Sequence, residues 1–440
     1  MANYYKAIFV IILFSLMFLS FIDVSVQPVR ATEKTIVVPQ DYSTISAAIA
    51  KASIGDTILV KKGIYYENIV IDKPISLVAE DKPLTIIDGG GKGTVVWINA
   101  NDTVVSGFTI QNSGNNFTDS GIYLNYSIGS SISDNLVVNN NIGIYMLQSD
   151  KSQLQNNSLV ANKFNFGVYS SNLEGYIQDI EASNTADGKP IIYWVNKSGK
   201  QVPVNAGYIA AINCTDITVS GSSLRKNWQN VLFAYTTNST VTNTTSSLDE
   251  DSIWLIESSN CTVIGNNISD NIWGGLALVN SSDCTVEGNT LKANGGYGIF
   301  LSYSSDNKLY HNNLIANSRQ SWLYGENINS GDNCYPSGGN YWSNYTGVDV
   351  ETGVWQNQTG SDGIGDIPYV MDSNNVDNYP LMKPWDAGSS EASQVNVEFY
   401  AITMAAIAIA LVVGIVYLAK VRRGKNKLIR QMAPKLDNEG

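Results

Sequence analysis

Cys261-Thr-Val-Ile-Gly-Asn-Asn-Ile268, Cys284-Thr-Val-Glu-Gly-Asn-Thr-Leu291 and Asn307-Lys-Leu-Tyr-His-Asn-Asn-Leu314 are one motif written three times. A second motif recurs in step as Asn230-Val-Leu-Phe, Ser252-Ile-Trp-Leu, Gly275-Leu-Ala-Leu, Gly298-Ile-Phe-Leu and Ser321-Trp-Leu-Tyr, with starts 22, 23, 23 and 23 residues apart. The frame runs back through Gly121, Gly143 and Gly167. A fixed period of this length marks a solenoid. Each unit holds short alternating apolar runs broken by Asn, Gly and Ser, which leaves room for strands and turns but for no helix. The reading is an all-β parallel β-helix of about ten coils.

Two asparagine columns explain why such a chain coils. Asn135, Asn157, Asn266, Asn289 and Asn312 share one; Asn140, Asn162, Asn227, Asn271, Asn294 and Asn317 share another, with Asp251 read as its one substitute. Asn tolerates left-handed backbone and bonds local main chain at turns. Identical side chains stacked roughly 4.8 Å apart can also hydrogen-bond from coil to coil. Between the columns Val263, Ile268, Leu276 and Leu278 point inward in one coil, and Val286, Leu291, Ile299 and Leu301 in the next. No coil buries its apolar face alone; the stack makes the core.

Outside the solenoid the sequence divides by composition. Residues 1–31 read as a secretory signal peptide, with an uncharged run behind Lys6. The β-helix is placed at 32–333, with an N-terminal capping helix over Tyr42 to Ala52 and an aperiodic insert at about 175–208 read as a projecting hairpin or flap. A Gly/Asp- and aromatic-rich C-terminal cap follows at 334–385, then a linker at 386–398. Residues 399–419 carry no charge and are long enough to span a bilayer. The basic tail 420–440 behind them stays cytoplasmic by the positive-inside rule. Setting aside that tail, at +5, and residues 1–31, at +1, takes the net charge from −12 to −18 for the part between. That balance disfavours nucleic acid and anionic lipid as partners.

Sequons fall only in this exterior part, at Asn101, Asn116, Asn125, Asn156, Asn196, Asn213, Asn238, Asn243, Asn260, Asn267, Asn280, Asn344 and Asn357. They are glycosylation candidates. Cys261 and Cys284 share a column in adjacent coils, within disulfide reach, and read equally well as a bridge or as two stacked thiols.

The opening Val37-Val-Pro-Gln-Asp-Tyr-Ser-Thr-Ile, followed by Gly55-Asp-Thr-Ile-Leu-Val, resembles the start of pectin-lyase-like right-handed β-helices. The repeats, Gly188-Lys-Pro, and the closing Gly339-Asn-Tyr-Trp-Ser, Asp362-Gly-Ile-Gly-Asp-Ile-Pro-Tyr and Asn378-Tyr-Pro-Leu resemble the NosD-like family over roughly residues 35–385. Domains of this type also occur in carbohydrate-binding proteins and sugar hydrolases and are common in archaeal surface proteins. The resemblance implies the fold; it leaves the activity open, because one fold hosts many functions.

Three classes of chemistry are open to these residues. For an enzyme, Arg225, Lys226, Asp249, Glu250 and Asp270 would stack at one turn, Arg225 on Asp249, Lys226 on Glu250 and Glu250 on Asp270; ordinary surface pairing is the plainer account. No motif of the β-helix esterases, polygalacturonases or lyases is present, and the one histidine, His311, sits in a turn column. For metals, the inventory of one His, four scattered Cys and few Met suits copper poorly. Asp349, Asp362 and Asp366, among glycines, resemble oxygen-rich loops that hold calcium. For binding, the x of Gly-Ile-x-Leu should face outward. Tyr123, Tyr145 and Tyr169, then Trp254 and Phe300, would form an exposed stripe able to stack on sugar rings. The sequence therefore reads as a membrane-anchored, extracellular, non-catalytic β-helix for surface recognition, adhesion or envelope architecture, binding a glycan or glycoprotein. A polysaccharide-active enzyme and a NosD-like accessory factor in copper-enzyme maturation are its alternatives.

Overall fold

The computed structural model describes residues 34–386. The signal peptide, the linker from 387, the span 399–419 and the basic tail lie outside the described residues. Among the described residues no helix is long and apolar enough to cross a membrane.

The chain winds as a parallel β-helix of right-handed type. Each coil contributes one short strand to each of three sheets. In the coil of the opening motif these are Thr262–Ile264, Asn267–Ser269 and Gly274–Val279, which enter sheets of nine, six and thirteen strands. In the N-terminal half the faces are a seven-stranded sheet, a five-stranded sheet and the start of the thirteen-stranded one. The thirteen strands give about thirteen turns, more than the ten expected. The opening coils belong to the same stack without keeping the period: Thr57 pairs Ser76, 19 residues on, and Ser76 pairs Val104, 28 residues on. Loops at the corners absorb the difference, and only strand register is conserved.

Val263, Ile268, Leu276, Leu278, Val286, Leu291, Ile299 and Leu301 are all at most 1% exposed. A helix, Ile45–Lys51, starts at Thr44, whose hydroxyl accepts the Ala47 N–H, and it buries Ile45, Ala48 and Ile49. Its first turn is further held by Glu67, which accepts from Ile45 N and Ser46 N at 2.9 Å each.

The asparagine columns are hydrogen-bonded ladders. Asn135 donates to Asn157 Oδ1 at 3.0 Å and Asn157 to Asn184 at 2.8 Å; Asn266, Asn289, Asn312 and Asn340 continue the pattern at 2.9 Å per step. In the second column Asn140 reaches Asn162, and Asn271, Asn294 and Asn317 follow at 2.9 and 2.8 Å. The acidic substitute there is Asp249 and not Asp251, because Asn227 N donates to Asp249 Oδ1 and Asp249 N to Asn271 Oδ1. The two-residue slip moves Asp251 onto a different face.

The insert contains a tight hairpin, but it does not project from the stack. Thr185–Ala186 turns back antiparallel on Lys189–Val195, and that strand then pairs in parallel with Tyr208–Ile212 inside the thirteen-stranded sheet. Tyr176, Tyr193 and Tyr208 are buried there, and the Tyr193 hydroxyl donates to Tyr176 O at 2.6 Å. Large apolar rings brought to one place need a core, so the segment fills a coil of its own. It also shifts the following strands: residues 226–228, instead of another Gly-Ile-x-Leu strand, bond to Phe164–Tyr169, through Asn165 N to Lys226 O and Trp228 N to Phe166 O.

Candidate functional site

The shift made by the insert opens a groove of about 460 Å³ between the end of Phe164–Tyr169 and the outward face of the later coils. Outward positions in those coils run Leu232, Trp254, Ala277, Phe300 and Trp322 along one column, and Gln229, Asp251, Gly274, Tyr297 and Arg319 along the next. Tyr169, Trp254, Trp273, Tyr297, Phe300 and Trp322 wall the groove. Their rings pack edge to face or tilted: Tyr169 on Trp254 with centroids 6.1 Å apart, Tyr297 on Phe300 at 5.3 Å, and Phe300 on Trp322 at 5.1 Å. Ala277 leaves a gap between Trp254 and Phe300. Those two rings lie two coils apart, hence about 9.6 Å along the solenoid axis.

One carboxyl lies in this aromatic setting. Asp251 is 4% exposed, and the Tyr297 hydroxyl donates to its Oδ1 at 2.7 Å. Burial pushes the Asp251 carboxyl up to about 7; the bond from Tyr297 opposes that rise and the neighbouring Glu250 adds to it. Burial and the negative charge of Asp251 hold the Tyr297 hydroxyl well above the ordinary tyrosine range. Glu257 lines the rim.

Of the expected binding residues, the structure brings Tyr169, Trp254 and Phe300 together here. Tyr123 and Tyr145 lie elsewhere and are 7% and 5% exposed, so they form no open stripe. They stack at 5.6 Å in a ladder that begins with Trp97 and is closed by Trp228, 4.9 Å from Tyr145. The next residue in that column is Gly167, since Tyr145 pairs Gly167 and Tyr169 pairs Leu147. A side chain at 167 would collide with Trp228. Tyr169 is thus displaced two residues from the ladder, 38% exposed, and faces the groove. Sequence reading also placed Leu323 outward where the structure places Trp322, because the last coil is 22 residues long and not 23. Trp273 and Tyr297 lie outside the repeated motif; the sheet register reveals Tyr297, and Trp273, just before its strand, is revealed by its ring contacts with Tyr297 and Trp322.

The acid–base cluster expected near Arg225 does not assemble. Arg225 pairs Ser247, not Asp249. Asp249 is wholly buried, accepting from Asn227 N at 2.9 Å, from Ser246 Oγ at 3.0 Å and from Asn230 Nδ2. Burial holds its carboxyl well above the usual range. Lys226 lines a separate cavity of about 550 Å³ beside Lys163, Leu248 and Ile272. Asp270 occupies a left-handed corner at φ 57°. Among the described residues, no ion pair joins any of these five side chains.

In the C-terminal cap the three aspartates are turned onto amide donors. Asp349 accepts from Asp362 N and Gly363 N at 3.0 and 2.9 Å, Asp362 from Ile364 N and Thr352 Oγ1, and Asp366 from Val350 N and Glu351 N. They hold the loops and do not converge on a common centre: among the described residues no three His, Cys, Asp or Glu side chains gather. Cys261 and Cys284 are buried free thiols on adjacent coils. Twelve of the sequon asparagines are exposed and Asn125 is partly buried, so nothing in the packing closes them to modification.

A profile of the family described as "Periplasmic copper-binding protein (NosD)" matches residues 40–177 and 167–347. No curated protein sequence matches the chain. Among solved structures, the mannuronan C-5 epimerase AlgE6 A-module of Azotobacter vinelandii is similar at 16% identity over 65% of this chain and 94% of its own, with a TM-score of 0.31. An alginate lyase from Paenibacillus sp. str. FPU-7 is similar at 10% identity over 70% and 97%, with a TM-score of 0.30. XylC in complex with xylose gives 11% identity over 62% and 72%, with a TM-score of 0.35.

The family description invites a test for copper, which favours imidazole, thiolate and thioether ligands. His311 is 5% exposed at a left-handed corner; its Nε2 lies 2.8 Å from Ser337 O and its ring is stacked on Trp385 at 3.5 Å. The Cys261 and Cys284 thiols are 1% exposed and turned to backbone carbonyls, with Met146 fully buried on another coil. These residues do not fit a copper centre. The fold, the columns and the closing motifs nevertheless agree with the profile, which covers more than half of the 440 residues, and the chain belongs to the NosD family.

Proposed function

We propose that this protein is an extracellular, membrane-anchored carbohydrate-binding β-helix whose ligand lies in the groove walled by Tyr169, Trp254, Trp273, Phe300 and Trp322. The observation that carries this reading is the groove itself: several rings converge on a cavity of ligand size around a small number of polar groups. Aromatic rings bind the apolar faces of sugars, and the gap at Ala277 between Trp254 and Phe300 gives a sugar ring a place to enter. The anchor is supported by the uncharged run 399–419 with its basic flank, and the exterior location by the sequons and by the periplasmic description of the family.

A glycan array probed with the full-length chain tests the reading. Each ring contributes roughly 0.5–1.5 kcal/mol beyond area burial. The Trp254→Ala, Phe300→Ala double variant should therefore lose about tenfold or more in affinity. Wild-type protein that retains no glycan, or a double variant that binds as well as wild type, rejects the site.

An enzyme acting on polysaccharide is the second reading, favoured by one observation: a carboxyl held near neutrality inside the groove. Shortened or unsaturated oligosaccharide products after incubation would decide for it.

A further inference from the structure

The polar floor of the groove has a defined construction. Gly274 occupies the coil between Asp251 and Tyr297, and any side chain there would meet both the Tyr297 ring and the Asp251 carboxyl. Because Gly274 has none, Tyr297 folds down across it and bonds Asp251 from two coils away. That bond occupies Oδ1 and leaves the carboxyl further acceptor capacity. Beside it, the buried indole N–H of Trp254 and the Gly274 N–H favour the charged carboxyl, as the Tyr297 hydroxyl does. A carboxylate with acceptor capacity to spare, set under aromatic walls, complements a sugar hydroxyl, which donates to Asp251.

The charges around this carboxyl select among sugars. Glu250 and the buried Asp249 act on Asp251, and Glu257 stands at the rim. The cation nearest in register is Arg319, whose guanidinium lies 5.0 Å over the Trp322 ring and does not line the groove. Lys163 faces Glu250 from the neighbouring cavity. Tyr297 and Trp254 are neutral. A carboxylate on the ligand would meet acids and no free cation.

We propose that Asp251 accepts a hydroxyl of an uncharged sugar, and that the groove thereby prefers neutral glycans to uronates. This rests on the carbohydrate reading above. The ionised carboxylate is the better acceptor for sugar hydroxyls. Asp251 titrates near 7 in the free protein, so affinity for a neutral glycan should rise with pH through that value.

Calorimetric titration of the full-length protein with mannohexaose, or with the neutral hit of the array, against the corresponding uronate oligosaccharide tests this from pH 6 to pH 8. A group titrating near 7 goes from about a tenth to about nine-tenths ionised over that range, so affinity should rise about tenfold. The uronate should bind at least tenfold more weakly. Asp251→Asn should weaken binding about tenfold at pH 8 and flatten the profile. Tyr297→Phe removes a bond that favours the charged form, so it should keep binding but move the midpoint to higher pH. The Tyr297→Phe shift also guards against an Asp251→Asn variant that merely misfolds. If wild type binds the neutral glycan and loses it on Trp254→Ala, yet shows no pH dependence or takes the uronate as tightly, the Asp251 site is wrong and the groove stands. If wild type binds no glycan, both fall.

Discussion

The Tyr297 hydroxyl donates to Asp251 Oδ1 at 2.7 Å across two coils and 46 residues of sequence. Both residues face outward from the thirteen-stranded sheet, and the bond exists because the coil between them offers glycine at 274. A local gap in side-chain volume thus joins a phenol to a buried acid.

Gly274→Ala should break that relationship. The added methyl meets ring and carboxyl at once, so one of them must move and leave the other buried without its partner. A loss of about 1–3 kcal/mol is expected, read by chemical denaturation, together with weaker glycan binding. Unchanged stability and binding would show that the ring has room to spare.

The ladders should carry more stability than any exposed asparagine. Asn289 is fully buried, donates to Val263 O and Asn312 Oδ1, and accepts from Asn266 N and Nδ2. Asn289→Ala strands several of these groups at once, and about 3 kcal/mol or more is expected from lost bonds alone. Asn267→Ala, at an exposed strand position on the preceding coil, should stay within about 0.5 kcal/mol. Equal effects would argue against a ladder role.

Stability should fall as pH rises from 4 to 8. Asp251 and Asp377 are both pushed up to about 7, chiefly by burial, from the ordinary 3.8 of an aspartate. A carboxyl whose folded value is raised contributes stability below its unfolded value, and that contribution is lost as pH rises through the folded one. Asp56, Asp88 and Asp362 are shifted downward, so they act oppositely, and only on acidification below about 4. Asp377 Oδ2 accepts from Asn340 N at 2.7 Å and Trp342 Nε1 at 2.8 Å, bonds an amide oxygen can keep in part. Asp377→Asn should therefore reduce the slope of melting temperature against pH, and an unaltered slope counts against this assignment.

Thiol labelling should separate the four cysteines. Cys334 is exposed; Cys214, Cys261 and Cys284 are buried and unbridged. One equivalent of a thiol reagent should react in the native protein and four after denaturation. Two equivalents after denaturation would mean that Cys261 and Cys284 are joined.

The period alone carried the fold a long way. Repeated Val263 and Val286, Ile268 and Leu291, or Asn266 and Asn289 must coincide in space, because no single coil of 22 or 23 residues can bury its own apolar face. The same period misplaced residues wherever a coil departed from it. Asp249 and Asp251 exchanged roles, Trp322 took the place given to Leu323, and Tyr169 left the column of Tyr123 and Tyr145. Side chains alternate along a strand, so a slip of one residue turns a wall position into a core one.

By itself the sequence determined the solenoid, its inward faces and its asparagine columns, since these follow from local pattern repeated at fixed spacing. The groove was decided only by the tertiary structure. Whether Tyr123 is a surface or a ladder depends on Trp228, more than a hundred residues away, being laid over Tyr145 beside it. Whether Asp251 is a surface charge or a buried acid depends on Tyr297 reaching it past Gly274. The insert that shifts one stack against the other has no period to announce it, and its effect on burial appears only once the coils are stacked.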